Sequence, residues 1–260
     1  MTILLLLAVV LFTALAIMLL AQRNLRRRIV QLERQLDAAA HELQSLQQSC
    51  ARLAPGNVVD RLIATGGNPV AERKEVTALF ADIVGSTALG ESLEPAVLVE
   101  ILNGYFQRMS DAIIEHRGHV STFLGDGILA YFGALERNPW QSTDAVKAAL
   151  RMRESLAEYN EELAARGLPR LGIGIGLHRG TGFAGMIGSR ERMEYAVVGR
   201  TVNVAARVQG LTRMHGVDIL ITDSVRATTG QQFQLQAQLP VEVKGIAEPL
   251  ATYAVIGLAG

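Results

Sequence analysis

The chain has 260 residues, 25 Lys and Arg against 25 Asp and Glu, and one cysteine. That length holds one domain of ordinary size with extensions, and a lone cysteine excludes an intrachain disulfide. Zero net charge gives no argument for a nucleic acid or another polyanionic partner. The first element in the chain is apolar: residues 3–21 carry a single polar side chain, Thr13. A run of that length just spans a bilayer core. Arg23, Arg26, Arg27 and Arg28 follow at once, which puts the C-terminal side in the cytoplasm. A cleaved signal peptide is the rival reading, with Ala14-Leu15-Ala16 as its cleavage-like site, but such a peptide carries its charge ahead of the apolar run. The expectation is a single-pass signal anchor in an inner or plasma membrane, with the lipid bilayer as a partner and the rest of the chain cytoplasmic.

Residues 22–54 read as a coiled coil. Leu25, Ile29, Leu32, Leu36, Ala39, Leu43, Leu46, Cys50 and Leu53 recur at alternating intervals of four and three, the heptad seam of a left-handed supercoil. One amphipathic helix packed on the domain is the alternative, and the narrow seam favours the coil. With both anchors on one side of the membrane the coil is expected to be parallel and dimeric. Pro55-Gly56 ends it, and residues 55–70 form a linker.

The globular domain is expected over residues 71–257. Ala78-Leu79-Phe80-Ala81-Asp82-Ile83-Val84 reads as a buried strand interrupted by one acid, followed by the turn Gly85-Ser86-Thr87, whose free N–H groups suit an anion. An unpaired carboxylate in such a strand costs several kcal/mol, so Asp82 needs a partner. Pro95 opens a helix with Leu98, Ile101, Leu102, Tyr105, Met109, Ala112 and Ile113 on one stripe, closed by Gly118. Phe123-Leu124-Gly125-Asp126-Gly127-Ile128-Leu129 is a hairpin with Asp-Gly at its turn. Asp82 and Asp126 could each be a plain turn residue. Two lone acids at strand ends, with no basic residue beside either in sequence, also suit divalent cations and phosphoryl chemistry.

A second helix is expected from Thr143 to Arg166. The run from Leu171 to Leu177 alternates apolar residues with glycine, a strand with one bare face open to close approach by a helix or ligand. His178 and Arg179 read as ordinary surface or turn residues. Thr201 is expected to cap a helix on which Asn203 and Arg207 share a face; an amide beside a guanidinium suits ribose and phosphate, although a solvated face is the commoner fate of such a pair. A strand over Val217–Ile221, a helical turn from Thr222 and strands near Val241–Lys244 and Thr252–Ile256 complete the domain. The order strand, helix, hairpin, helix, strand predicts an α+β fold, a ferredoxin-like split βαβ mixed sheet with flanking helices.

LFADIVGST, FLGDGILAYFG, GIGLH with MIGS, and VGRTVNVAAR together resemble the class III nucleotidyl cyclases, in that family's order and spacing. The resemblance covers roughly Glu75 to Ile256. It implies that Asp82, Ile83 and Asp126 bind two divalent cations, Mg2+ or Mn2+, and that Asn203 and Arg207 orient the ribose and stabilise the transition state. It further implies that Gly85, Ser86, Thr87 and Lys244 lie near the substrate phosphates. The reaction implied is attack of the 3′-hydroxyl of a nucleoside triphosphate on its own α-phosphate. The product is a cyclic 3′,5′-monophosphate with release of pyrophosphate. The family builds each site across a homodimer, acids from one protomer and the Asn/Arg helix from the other. The chain departs from the family at the base-reading positions, Thr122 and Ala196, where adenylyl cyclases carry Lys and Asp or Thr. ATP is the family's usual substrate; GTP and a pyrimidine triphosphate stay open. A catalytically silent nucleotide-binding scaffold is the reading from another class, and retention of both acids, Asn203 and Arg207 speaks against it. A diguanylate cyclase shares the topology, but its glycine-glycine-acid-acid-Phe turn is absent.

Overall fold

The computed structural model describes residues 71–189, 193–243 and 248–259, together with three single helical positions, Gln22, Gln31 and Ala40. The chain divides into two units, Met1–Asp60 and Arg61–Gly260. Apart from those three positions, the expected anchor (3–21), coiled coil (22–54) and linker (55–70) lie outside the described residues, as does Lys244. Among the described residues, no helix is long and apolar enough to cross a membrane.

The described part of the second unit is built on one mixed sheet. Its strands are β1 (Glu72–Val84), β2 (His119–Leu124), β3 (Gly127–Phe132), β4 (Gly172–Gly188), β5 (Met193–Val198), β6 (Ile219–Thr222), β7 (Phe233–Ala237) and β8 (Thr252–Leu258). Its helices are α1 (Ser86–Ser92), α2 (Pro95–Glu115), α3 (Gln141–Ala165), α4 (Arg200–His215) and α5 (Asp223–Thr229). The sheet order is β2-β3-β1-β4-β6-β8-β7, with β5 paired to β4. Its first four strands are all antiparallel neighbours, the expected split βαβ unit. The parallel β4–β6 pair makes the sheet mixed.

Strand alternation divides the core. Leu79, Ala81 and Ile83 of β1 and Ile173, Ile175 and Leu177 of β4 point to one face. There they meet Ile101, Tyr105, Met109 and Ile113 of α2 and Ala145, Ala149, Met152, Leu156 and Leu163 of α3 in one buried cluster. Each fully buried side chain of this kind contributes about 1.5–3 kcal/mol. The other face of β4, β6 and β8 is covered by α4 through Val204, Val208 and Leu211, packed with Leu220 and Ala254.

The glycine row of β4 decides how α4 sits. A Cβ on Gly176 would lie 2.6 Å from Gln209 Cα and 2.8 Å from the Ala205 carbonyl oxygen. The bare face predicted from the Gly-Ile-Gly-Ile-Gly pattern is therefore taken by a helix.

Several boundaries differ from expectation. Thr201 does not cap α4: Gly199 is the N-cap, and the Thr201 hydroxyl donates to the Thr181 carbonyl at 2.7 Å, fastening the first turn to β4. The left-handed residue ending α2 is Arg117, φ 61, rather than Gly118. Its guanidinium is held by Asp144 at 2.6 and 3.0 Å. In the hairpin, Leu124 pairs with Gly127, so the central residues are Gly125, φ 66, and Asp126. β5 and β7 were not anticipated. Among the described residues near Val241, only an isolated bridge to Leu250 forms. His178 is no surface residue: it lies on β4, half-buried, with Nδ1 2.9 Å from the Thr222 hydroxyl.

Candidate active site

β1 and the β2–β3 turn bring the two acids together. Asp82 pairs in register with Gly174 of β4, so its side chain points to the α4 face. Asp126 is delivered from the adjacent hairpin, where Ala81 pairs with Ile128. Both carboxyls are half-buried. Burial, a hydrogen bond with Asp126 and the Asp126 charge push the Asp82 carboxyl up to about 6, while Arg213 and a backbone bond at Ile83 act the other way. Burial also pushes Asp126 up. Hydrogen bonds from Asp82, Ser86 and the backbone at Asp126 and Ile83 more than offset this and hold it below the usual carboxylate range. The two carboxyls are thus neighbours that interact directly and are pushed in opposite directions.

The donor set fits a hard divalent cation. Asp126 Oδ2 is buried with no hydrogen-bond partner, an orphaned acceptor beside a second carboxyl and the Ile83 carbonyl. These are oxygen ligands only, the kind that Mg2+ and Mn2+ take. Among the described residues no group of three or more His, Cys, Asp and Glu side chains forms a metal cluster, so the set is two carboxylates and one carbonyl.

Gly85, φ 76, caps the short helix α1. Ser86, Thr87 and Asp126 line a cavity of about 250 Å3 with Leu89, Leu98 and Leu102. Two of the expected phosphate-side residues, Ser86 and Thr87, and one expected metal ligand, Asp126, thus border one space. Lys244 cannot be placed with them.

The expected base-reading positions also fall near one another. Thr122 is on β2, paired with Leu129 beside a bulge, and Ala196 is on β5, paired with Gly185. The Ser121 hydroxyl donates to the Tyr195 carbonyl at 3.4 Å, so the neighbours of the two positions touch. The Thr122 hydroxyl is turned to the Phe123 carbonyl, 3.4 Å away. Ala196 offers no polar side-chain atom.

Asn203 and Arg207 are exposed on α4. They do not meet Asp82 of their own protomer. Thr212 stands over Gly174, the register partner of Asp82. Asn203 is nine residues earlier on the helix and Arg207 five, about 13.5 and 7.5 Å along the axis at roughly 1.5 Å per residue.

Two nearby residues are not marked in the sequence as part of the site. Arg213 Nη2 donates to the Ile83 carbonyl at 3.3 Å and to Asp82 Oδ2 at 3.4 Å, although it lies 131 positions from Asp82. Tyr105 of α2 buries its hydroxyl without a partner. Burial first, then the charges of Asp82 and Asp126, raise its ionisation far above that of a free phenol.

A split βαβ sheet with paired acids at one end and an Asn/Arg helix beside it defines the catalytic domain of a nucleotidyl cyclase. The family profile for the adenylate and guanylate cyclase catalytic domain matches residues 69–257. The chain belongs to that family. It is 33% identical over 231 residues to an adenylate cyclase of Anabaena cylindrica, covering 85% of this chain and 45% of that protein. It is 32% identical over 210 residues to adenylate cyclase 1 of Rhizobium meliloti (strain 1021), covering 80% and 32%. The chain thus spans less than half the length of these relatives. Among solved structures it is similar to the guanylyl cyclase Cya2, with TM-score 0.69 and 33% identity over 73% of this chain and 95% of that one. It is also similar to the adenylyl cyclase CyaB from P. aeruginosa, with TM-score 0.68 and 28% identity over 72% and 96%.

Proposed function

We propose that this chain is a membrane-anchored, homodimeric nucleotidyl cyclase that converts a nucleoside triphosphate, ATP first, to its cyclic 3′,5′-monophosphate and pyrophosphate for intracellular signalling. The observation that carries the reading is the convergence of Asp82 and Asp126 from β1 and the β2–β3 turn, with the buried, unpartnered Asp126 Oδ2. Asp82, Asp126 and the Ile83 carbonyl would hold the divalent cations. When bound, such ions would lower the pKa of the attacking hydroxyl, making it a better nucleophile, and offset the charge of the triphosphate.

The protein's own groups do the remaining work. Ser86 and Thr87 border the cavity beside Asp126 and, with Gly85 ahead of them, would receive phosphate oxygens, with Lys244 assigned to the same task. Asn203 would orient the ribose, and Arg207 would meet the charge that develops on the α-phosphate. Their distance along α4 from Asp82 supports a site completed by a second copy related by a two-fold axis. The heptad seam over 22–54 supplies a parallel dimer for that purpose, and the apolar run over 3–21 supplies the anchor. Deleting residues 1–22 should release the protein from membrane pellets; complete retention would remove the anchor from this reading.

ATP is favoured by the curated relatives named adenylate cyclase. The guanylyl cyclase among the similar structures keeps GTP as the second reading. Incubation of the purified protein with each of ATP, GTP, CTP and UTP and Mn2+, with products identified by mass spectrometry, tests the proposal. A cyclic monophosphate is expected from ATP. No cyclic product from any of the four would overturn the enzyme reading and leave a nucleotide-binding scaffold.

A further inference from the structure

We infer that Arg213 is a built-in competitor for the divalent cation: its guanidinium occupies the oxygens of the metal site when the ion is absent and must leave for the ion to bind. The inference rests on the assignment of Asp82, Ile83 and Asp126 as metal ligands. Arg213 Nη2 contacts the Asp82 Oδ2 and the Ile83 carbonyl together, at 3.4 and 3.3 Å. These are two of the three oxygen groups in the donor set. Oxygens that turn toward one cationic nitrogen are the same oxygens that a divalent cation would need. The guanidinium and the ion would compete for them.

The rest of the local structure allows the exchange. Arg213 lies in the last turn of α4, after the buried Thr212 has fixed the helix against Gly174. Its side chain is 53% exposed, and its only ion pair among the described residues is the one to Asp82. It can therefore swing to solvent without disturbing a buried partner. In the metal-free state it offsets part of the repulsion between two adjacent carboxyls. In the metal-bound state the same charge, if it stayed near, would oppose a divalent ion. Arg213 is thus a positioning residue that sets how much free metal is needed to load the site.

The test is a Mn2+ titration of the full chain in detergent, reading free Mn2+ by electron paramagnetic resonance, on wild type, Arg213→Lys and Arg213→Gln. An exposed ion pair is worth at most about fivefold in an equilibrium constant. Arg213→Gln should lower the Mn2+ dissociation constant by up to about that factor, and Arg213→Lys should stay near wild type. A defect of folding would weaken binding, so tightening separates competition from a structural role. A dissociation constant in Arg213→Gln equal to or above that of wild type overturns the inference while leaving the metal site in place. Failure of wild type and both variants to bind Mn2+ overturns the metal-site reading, and the inference with it.

Discussion

Gly176→Ala should leave the fold intact and cripple the enzyme, because α4 is seated on the bare backbone of β4. The new methyl carbon would lie 2.6 Å from Gln209 Cα and 2.8 Å from the Ala205 carbonyl oxygen. Favourable carbon contacts fall near 3.5–4.0 Å, so the helix must retreat by about 1 Å. A gap of that size forfeits a quarter to a half of each dispersion contact that Val204, Val208 and Leu211 make with the sheet. Overpacking of this kind costs roughly 1–3 kcal/mol. For a domain of this size that lowers Tm by about 2–12 °C. Asn203 and Arg207 ride on the displaced helix, and misplacement by about 1 Å costs on the order of 100-fold in rate. Thermal denaturation followed by circular dichroism, with kcat/KM from product formation, measures both effects. Gly210→Ala is the control: it lies on the same helix with open space where its Cβ would go. Replacing a mid-helix glycine there should stabilise by up to about 1 kcal/mol. A Gly176→Ala protein with wild-type Tm and activity would refute the placement of α4 on the glycine row.

Other outcomes follow from the same geometry. Asp82→Ala and Arg207→Ala should each be inactive alone, yet coexpression should restore about a quarter of wild-type activity. Half of randomly assembled dimers are mixed, and each of those has one intact site of two; no recovery in a verified heterodimer would sink the shared site. Thr122→Lys with Ala196→Thr should raise the preference for ATP, since each hydrogen bond to a buried base edge is worth about 0.5–1.5 kcal/mol. An unchanged product spectrum would show that the base is read elsewhere. His119 is buried, and burial lowers its imidazole from 6.5 to about 4. Between these values the unfolded chain binds more protons than the folded one, so stability is present above pH 6.5 and declines as pH falls toward 4. The loss is on the order of 3 kcal/mol for a group this buried. Chemical denaturation of His119→Phe across that window should give a flatter profile than wild type, and an identical slope would place the proton elsewhere.

What the sequence made legible was local. The alternation of Gly172, Gly174 and Gly176 with isoleucine announced a bare strand face, because period-two patterning needs only neighbouring residues. The apolar stripe of α2 and Asp82 in its strand were visible for the same reason. Thr201 misled because a threonine before a helical run is the usual cap, whereas here its hydroxyl is drawn to β4 by the close seat of α4. β7 alternates Phe233, Gln234, Leu235 and Gln236, but five residues at a sheet edge give a short signal. β5 was hidden because Tyr195 to Val198 reads as a lead-in to α4. Arg213 had no local signature: its meaning comes from a contact spanning 131 positions, made only once β4 has brought α4 beside β1.

The position of α4 has one more consequence. Its 16 residues make a rod about 24 Å long. In the proposed two-fold dimer the rod would end in two different catalytic centres: Asn203 and Arg207 would serve the partner's acids, while Arg213 touches Asp82 of its own chain. A rigid body with a foot in each centre would make the two chambers mechanically interdependent. Loading one should shift the readiness of the other, so the enzyme would answer to substrate and metal as a pair of linked halves rather than two separate machines.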